Sequence, residues 1–382
     1  MENPTPEIPP TMKALVYESK DTGITLNTVP TPKVHPGAVL CKVLASYISA
    51  GIGERLGPSA GPVFLTHPIP MIPGVYSIGR VVAIGPDTTK LTVGQLVLID
   101  PFVRGRDDSD VQILLAAFDG PTPASKKLAA EYWRNGTYAE YVRSPLENTW
   151  ALDEARLCGS PSDGGLGYTI PELIAIPIFT CCYGGLRGID LKAGETIIIS
   201  PATGHFSMSA VAIANAIGAN VTAVSRNAER LKKLQEMFPL IRTVIPTGDV
   251  AKDTEAIVAG GGLADVVMDV SPPAATGSTY IESCIGALKQ YGRISLMGGR
   301  MDPKLPIGFF QLMFKNLTVR GQYAYEREDV KGLIKLVESG RLPIGKKAGL
   351  PTVAEVSLEQ FKDALAAAAR DPGLTGFVTF VP

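Results

Sequence analysis

A chain of 382 residues exceeds what one hydrophobic core ordinarily organises, and 45% hydrophobic against 19% charged residues supply enough apolar surface for two globular domains. The 36 basic and 37 acidic side chains leave a formal net charge of −1. No field in that balance draws in nucleic acid, an anionic membrane or a polyanion, and a neutral, mid-sized substrate suits it better.

Residues 1–10 carry four prolines and two glutamates without an apolar stretch, which reads as a loose tail and not as a signal peptide. Short strands follow at 12–17 (MKALVY), 37–45 (GAVLCKVLA), 76–84 (YSIGRVVAI) and 95–99. They are punctuated by turns at Pro36-Gly37, Pro73-Gly74 and Gly85-Pro86. Many short strands and few helices predict a β-rich, barrel-like domain. The rhythm breaks at 101–134, where a charged loop (RGRDDSD) precedes a helix expected over 125–133. Five cysteines, Cys41, Cys158, Cys181, Cys182 and Cys284, are scattered and odd in number. That argues against a disulfide framework and for a reducing, cytoplasmic setting. No run of about eighteen apolar residues occurs, so no membrane-spanning helix is expected.

From residue 171 the texture changes. Residues 171–188 have helical periodicity and end in glycine. A continuous apolar strand at 196–200 (TIIIS) leads to an apolar helix at 205–217 and a second strand at 221–225. An amphipathic helix at 227–238 is capped by Asn227. Further strands are expected at 265–270 (DVVMDV), 293–297 and 316–321, with a helix at 279–288, then a helix at 328–339 and a last strand at 376–380. Apolar strands alternating with helices predict a doubly wound parallel sheet, an α/β fold that binds ligands beyond its strand C-termini.

The turn Ser200-Pro-Ala-Thr-Gly-His-Phe-Ser207 joins strand to helix, as the pyrophosphate-binding turn of a dinucleotide-binding unit does. Only Gly204 stands where that motif's glycines stand; Pro201 and Ser207 fill the other two places. The surrounding strand–turn–helix–strand order favours a cofactor turn over an ordinary βα connection. Thr203, Gly204, His205 and Phe206 are therefore cofactor-binding candidates. An NAD site wants an acidic residue at the end of the second strand. This chain has Ser225 and Arg226, followed by Arg230, Lys232 and Lys233. Arginine grips a 2′-phosphate and a carboxylate would repel it, so the expected cofactor is NADPH (NADP).

These blocks, together with IPGVYSIGRVVAIG, LTVGQLVLID, GTYAEYV, GRISLMGG and NLTVRG, resemble the medium-chain dehydrogenase/reductase superfamily over roughly residues 12–382. The resemblance implies a β-rich GroES-like barrel domain (1–168), a Rossmann domain (169–324) and a return to the first domain (325–382), commonly in a homodimer. It also implies that Ser271, Met297 and Gly298 border the cofactor, with Gly299 beside them.

The departures concern metal. Where zinc-dependent members carry a cysteine and an aspartate, this chain has Ser49 and Ile52; where they have Gly-His-Glu, it has Gly74-Val75-Tyr76. The third ligand position falls near Pro177, and residues 100–135 contain no cysteine for a structural zinc loop. A catalytic zinc needs three converging protein ligands. The resemblance therefore implies the zinc-free branch, which includes quinone oxidoreductases and enoyl reductases. Without a Lewis acid, a conjugated substrate must spread the developing charge onto an oxygen that the protein serves with donors. Tyr47, Ser49 and Tyr76 are the catalytic candidates, and Tyr323 and Tyr325 could line the substrate mouth.

The leading expectation is thus NADPH-dependent reduction of an activated C=C bond or a quinone. A zinc-free alcohol dehydrogenase or carbonyl reductase is the alternative within enzymes, and a non-catalytic NADPH-binding protein the alternative outside them. The insert at 101–133 suggests a bulky, largely apolar substrate, as in secondary metabolism.

Overall fold

The computed structural model describes residues 7–56, 66–370 and 376–382. Residues 1–6 of the expected tail lie outside the described residues. The chain divides into two compact units, residues 1–177 with 344–382, and residues 178–343. In chain order the strands are β1 (Thr11–Ser19), β2 (Gly23–Pro30), β3 (Ala38–Tyr47), β4 (Ser77–Ile84), β5 (Leu96–Ile99), β6 (Phe102–Arg104), β7 (Gln112–Leu114), β8 (Tyr141–Pro145) and β9 (Thr149–Ala151). There follow β10 (Thr196–Ser200), β11 (Asn220–Val224), β12 (Arg242–Val244), β13 (Ala264–Asp269), β14 (Leu288–Leu296), β15 (Thr318–Gly321), β16 (Thr352–Val356) and β17 (Phe377–Phe380).

The first unit is the GroES-like domain. Its largest sheet runs β16-β17-β3-β4-β5-β9, with β8 also paired to β3. β3 is the hub, antiparallel to β4, β8 and β17. Its sequence AVLCKVLASY is apolar on both faces because both are covered; only Lys42 is exposed. A core of Leu15, Tyr17, Ile48, Met71, Tyr138 and Phe380 packs around the end of β3. Each such side chain contributes roughly 1.5–3 kcal/mol by leaving water.

The second unit is the Rossmann-like domain. Its six strands are ordered β12-β11-β10-β13-β14-β15 and every pairing is parallel. Numbered within the unit, this is the 3-2-1-4-5-6 order of a doubly wound sheet, with its switch point between β10 and β13. The expected apolar runs account for it: Ile198, Val267 and Ile294 pack under Ile281 and Ile285 of the helix Tyr280–Gly286. Helix His205–Ile217 stops at Gly218, whose φ of 92° is left-handed and unfavourable for a residue with a Cβ. Asn227 caps the helix Ala228–Met237 as expected, accepting from the Arg230 N–H at 2.9 Å. No helix among the described residues is long and apolar enough to cross a membrane.

Some boundaries differ from expectation. The helix expected over 125–133 begins at Pro123, where Thr122 and Ser125 form a reciprocal cap, and passes into a π-helical turn at Leu128–Tyr132. Proline in the first helical turn is a start signal that the apolar periodicity alone missed. Residues 171–188 open as a 3-10 turn, Pro171–Ile174, before the α-helix Ala175–Gly188. β14 starts five residues ahead of the strand expected at 293, and β12 and the helix Val250–Ala259 were not anticipated.

Candidate functional site

In the second unit the parallel ladder continues past the strand ends and lines up the candidate residues. Ala202 N–H bonds Val224 O at 2.9 Å, Ser225 N–H bonds Val244 O at 3.1 Å, and Val270 N–H bonds Ser200 O at 3.2 Å. Met297 N–H bonds Asp269 O at 2.9 Å and Gly299 N–H bonds Ser271 O at 2.8 Å. Thr203, Gly204, Ser225, Ser271, Met297 and Gly298 therefore share the C-terminal edge of one sheet, at its switch point.

Helix His205–Ile217 starts at this edge. Its N-cap is Gly204, which has no side chain to satisfy the first-turn amides. A Cβ on Gly204 would meet nothing nearer than Ser207 Oγ at 3.6 Å, so it would project into the space in front of the helix. That is a cradle suited to an anion. His205 is buried at its rim, and the Phe206 carbonyl accepts from Ser209 Oγ at 2.6 Å and Cys182 Sγ at 3.0 Å. Thr203 and Ser225 are both buried, with their hydroxyls 2.7 Å apart. This bond ties the turn after β10 to the end of β11, a pairing that separate readings of the two segments did not find. Arg226 is exposed, and among the described residues no carboxylate pairs with it.

Beyond β13 and β14 lies a polar cluster of which only Ser271 was anticipated. Ser271 Oγ donates to Asp269 Oδ1 and lies 2.6 Å from the Tyr280 hydroxyl. The Arg300 guanidinium sits 5.4 Å from the Tyr280 ring centre and bonds Asp302 Oδ2 at 2.6 Å and Ser278 O at 2.9 Å. A signal was present, since Arg300 directly follows the Gly298-Gly299 pair. Burial holds the Asp269 carboxyl above the usual carboxylate range, against opposing pulls from Ser271 and Arg300. The folded state then binds this proton more tightly than the unfolded chain. The resulting stabilisation is complete below the ordinary carboxylate value and is lost as pH rises through the folded value. Asp269→Asn should remove that loss, so the stability of the variant relative to the parent should rise with pH across that window. Urea unfolding of both proteins between pH 4 and 7 checks it; a pH-independent difference would refute it.

In the first unit, the candidate hydroxyls gather at the end of β3. Tyr47 is buried, and its N–H bonds Tyr76 O at 2.9 Å. The two rings lie 6.4 Å apart, and Phe377 meets Tyr47 edge-on at 5.8 Å. Burial pushes the Tyr47 phenol well above the usual range, so it stays protonated. The buried Tyr138 of the GTYAEYV block donates to Tyr47 O at 3.0 Å. Ser49 is half-buried and accepts from Arg55 Nη2 at 3.4 Å. Arg55 ends the short helix Ile52–Arg55, three residues beyond Ile52 and six beyond Ser49, the positions weighed as metal ligands, and was missed. Tyr323 and Tyr325 belong to the second unit, where Tyr323 is half exposed and Tyr325 is buried against Gly184.

Val75 and Tyr76 follow the turn at Gly74, whose φ is 106° and where a Cβ would meet Tyr138 N at 2.6 Å. Among the described residues no group of three His, Cys, Asp or Glu could hold a metal ion. All five cysteines are free.

Residues 41–154 match the family described as alcohol dehydrogenase GroES-like domain, and residues 207–339 match that described as zinc-binding dehydrogenase. The chain belongs to the medium-chain dehydrogenase/reductase superfamily. It is similar to an L-threonine 3-dehydrogenase of Ruegeria pomeroyi, at 28% identity over 335 residues, which is 86% of this chain and 90% of the relative. Among solved structures its fold is similar to a short chain alcohol dehydrogenase of E. coli CFT073 complexed with NADH (TM-score 0.77, 17% identity, 98% of this chain and 100% of that one). It also resembles a putative zinc-binding dehydrogenase of Sinorhizobium meliloti 1021 bound to NADP (TM-score 0.70, 20% identity, 97% and 99%). Of these two solved proteins of the same fold, one is complexed with NADH and the other is bound to NADP.

Proposed function

We propose that this oxidoreductase works without zinc and uses NADPH to reduce a C=C bond conjugated to a carbonyl, as in an enone or enoyl compound, or a quinone. The observation that carries the reading is the content of the vacated ligand positions. Ser49, Ile52, Val75 and Tyr76 stand where a zinc site needs sulfur, imidazole or carboxylate, and a guanidinium bonds Ser49.

The residues at the sheet edge fit a dinucleotide. The uncapped first turn at Gly204 would hold the pyrophosphate, Ser271, Met297 and Gly298 would border the nicotinamide half, and Ser225 with Arg226 would take the 2′-phosphate. When bound, NADPH supplies a hydride for the electron-poor carbon of the substrate. The chain's own residues manage the charge and the proton. As the conjugated system accepts an electron pair, negative charge collects on its oxygen, and the hydroxyls of Tyr47, Ser49 and Tyr76 are the donors for it. Delivery of a proton to the neighbouring carbon completes reduction.

A second reading has one observation in its favour. The relatives include proteins named L-threonine 3-dehydrogenase and alcohol dehydrogenase, which suggests a carbonyl–alcohol interconversion in which hydroxyls replace the metal. One experiment separates the readings. The purified chain, dialysed against a chelator, is given NADPH with a panel of enones, quinones and saturated ketones, and the products are identified by mass. A saturated ketone or hydroquinone at an unchanged rate is the expected result. An alcohol product would favour the second reading, and loss of activity restored by stoichiometric zinc would defeat both.

A further inference from the structure

The cluster at the end of β3 contains more than hydroxyls. Arg55 turns its guanidinium back onto Ser49 and lies within electrostatic reach of the phenols of Tyr138, Tyr76 and Tyr47. It also faces the imidazole of His67, which burial first and Arg55 second hold below the ordinary range. His67 is therefore neutral at pH 7. Among the described residues no carboxylate pairs with Arg55. A guanidinium is charged at every working pH and has five donors and no acceptor. Removing such a cation from water without a counter-ion is unfavourable. Three phenols, a serine hydroxyl and a neutral imidazole can orient it but cannot neutralise it. The same charge would repel a metal ion, so the site is built with the polarity of an anion receptor.

We propose that this cluster binds a negatively charged oxygen on a carbonyl carbon, with Arg55 as its counter-ion and Ser49, Tyr47 and Tyr76 as accompanying donors. That oxygen has two chemical sources: the carboxylate of an acidic substrate, or the oxyanion that a neutral conjugated carbonyl develops during reduction. The second source rests on the reductase reading above; anion affinity of the cluster does not. In either case Arg55 stands in for the charge that zinc would bring, and its planar fork donates to two oxygens at once or twice to one.

The test titrates the full chain, free of dinucleotide, with sodium benzoate by calorimetry, beside Arg55→Gln and Arg55→Lys. Saturable binding to the parent chain is expected, weakened about tenfold or more by glutamine and less by lysine, which keeps the charge without the fork. NADPH affinity should be the same in all three, which verifies folding and keeps this result separate from the cofactor assignment. With a reducible substrate, Arg55→Gln should lower kcat at constant KM if the oxyanion is the ligand. It should raise KM for acidic substrates alone if the carboxylate is. Should the glutamine variant fail to fold, the lysine variant carries the comparison. Absence of benzoate binding to the parent, or equal binding by the variants, overturns the proposal even where NADPH oxidation persists. Loss of NADPH turnover with benzoate binding intact would instead strike the reductase reading.

Discussion

Arg226→Ala should weaken NADPH binding roughly ten- to hundredfold while leaving NADH binding within about twofold. The magnitude follows from a hydrogen bond between charged groups, worth about 1.5–3 kcal/mol, with about 1.4 kcal/mol for each tenfold change in affinity. The side chain is exposed on the turn between β11 and its capped helix, and no described carboxylate engages it. Its removal should therefore cost the fold little, about 0.5 kcal/mol or less. The neighbouring residue cannot give so clean a result. Ser225 is buried, and its hydroxyl holds Thr203 at 2.7 Å, so any replacement there also loosens the phosphate turn. Fluorescence titration of both reduced dinucleotides against both proteins decides the matter. Equal loss for the two cofactors, or no loss for either, would remove the 2′-phosphate assignment.

The second unit was legible in the sequence because its information is local. TIIIS is a continuous apolar run and DVVMDV is apolar apart from its two aspartates, which suits strands buried on both faces, and Asn227 and Gly218 mark helix ends by their own chemistry. The doubly wound parallel sheet that these runs and the resemblance implied is the sheet observed, and its strand order comes from the structure alone. In the first unit the sequence conveyed texture but not pairing. β17 comes from the far end of the chain to pair with β3 beside Tyr47, and nothing within either segment encodes that meeting. The same distinction holds at the sites. Ser225 and Arg226 could be singled out as candidates because the end of the second strand is where a dinucleotide's ribose is expected. Arg55 could not, because the segment was searched for metal ligands and hydroxyls. Its importance depends on Tyr76 and Tyr138 arriving from elsewhere in the chain. Asp269 drew no reading within the DVVMDV strand, because its burial comes from neighbours the fold brings in: Ser271 donates to its Oδ1, and Gly298 lies so close that a Cβ there would come 2.5 Å from its Oδ2.

Gly298→Ala should abolish measurable dinucleotide binding and destabilise the protein by about 1–3 kcal/mol. The reason is proximity, not backbone freedom, since the φ of Gly298 is not among the positive ones. A Cβ there would lie 2.5 Å from Asp269 Oδ2, 2.8 Å from Ser271 N and 3.0 Å from Ser271 O. Two of these are backbone atoms, and the Ser271 carbonyl is held by the Gly299 N–H, so they cannot swing aside as a flexible side chain would. The ends of β13 and β14 would have to separate at the place proposed for the nicotinamide half. Gly299→Ala is the matched control, because its Cβ would meet only the Pro273 ring, nearest at Cδ at 3.4 Å, an ordinary contact. Its stability should stay within about 1 kcal/mol of the parent. Denaturant unfolding and NADPH titration of the two variants test the contrast, and similar behaviour at both positions would refute it. Combining Gly298→Ala with Asp269→Ala, which removes the carboxyl atoms, and reading the double variant against Asp269→Ala alone apportions the clash. Partial recovery of stability would assign it to the carboxylate, which can rotate, and no recovery would assign it to the Ser271 backbone, which cannot.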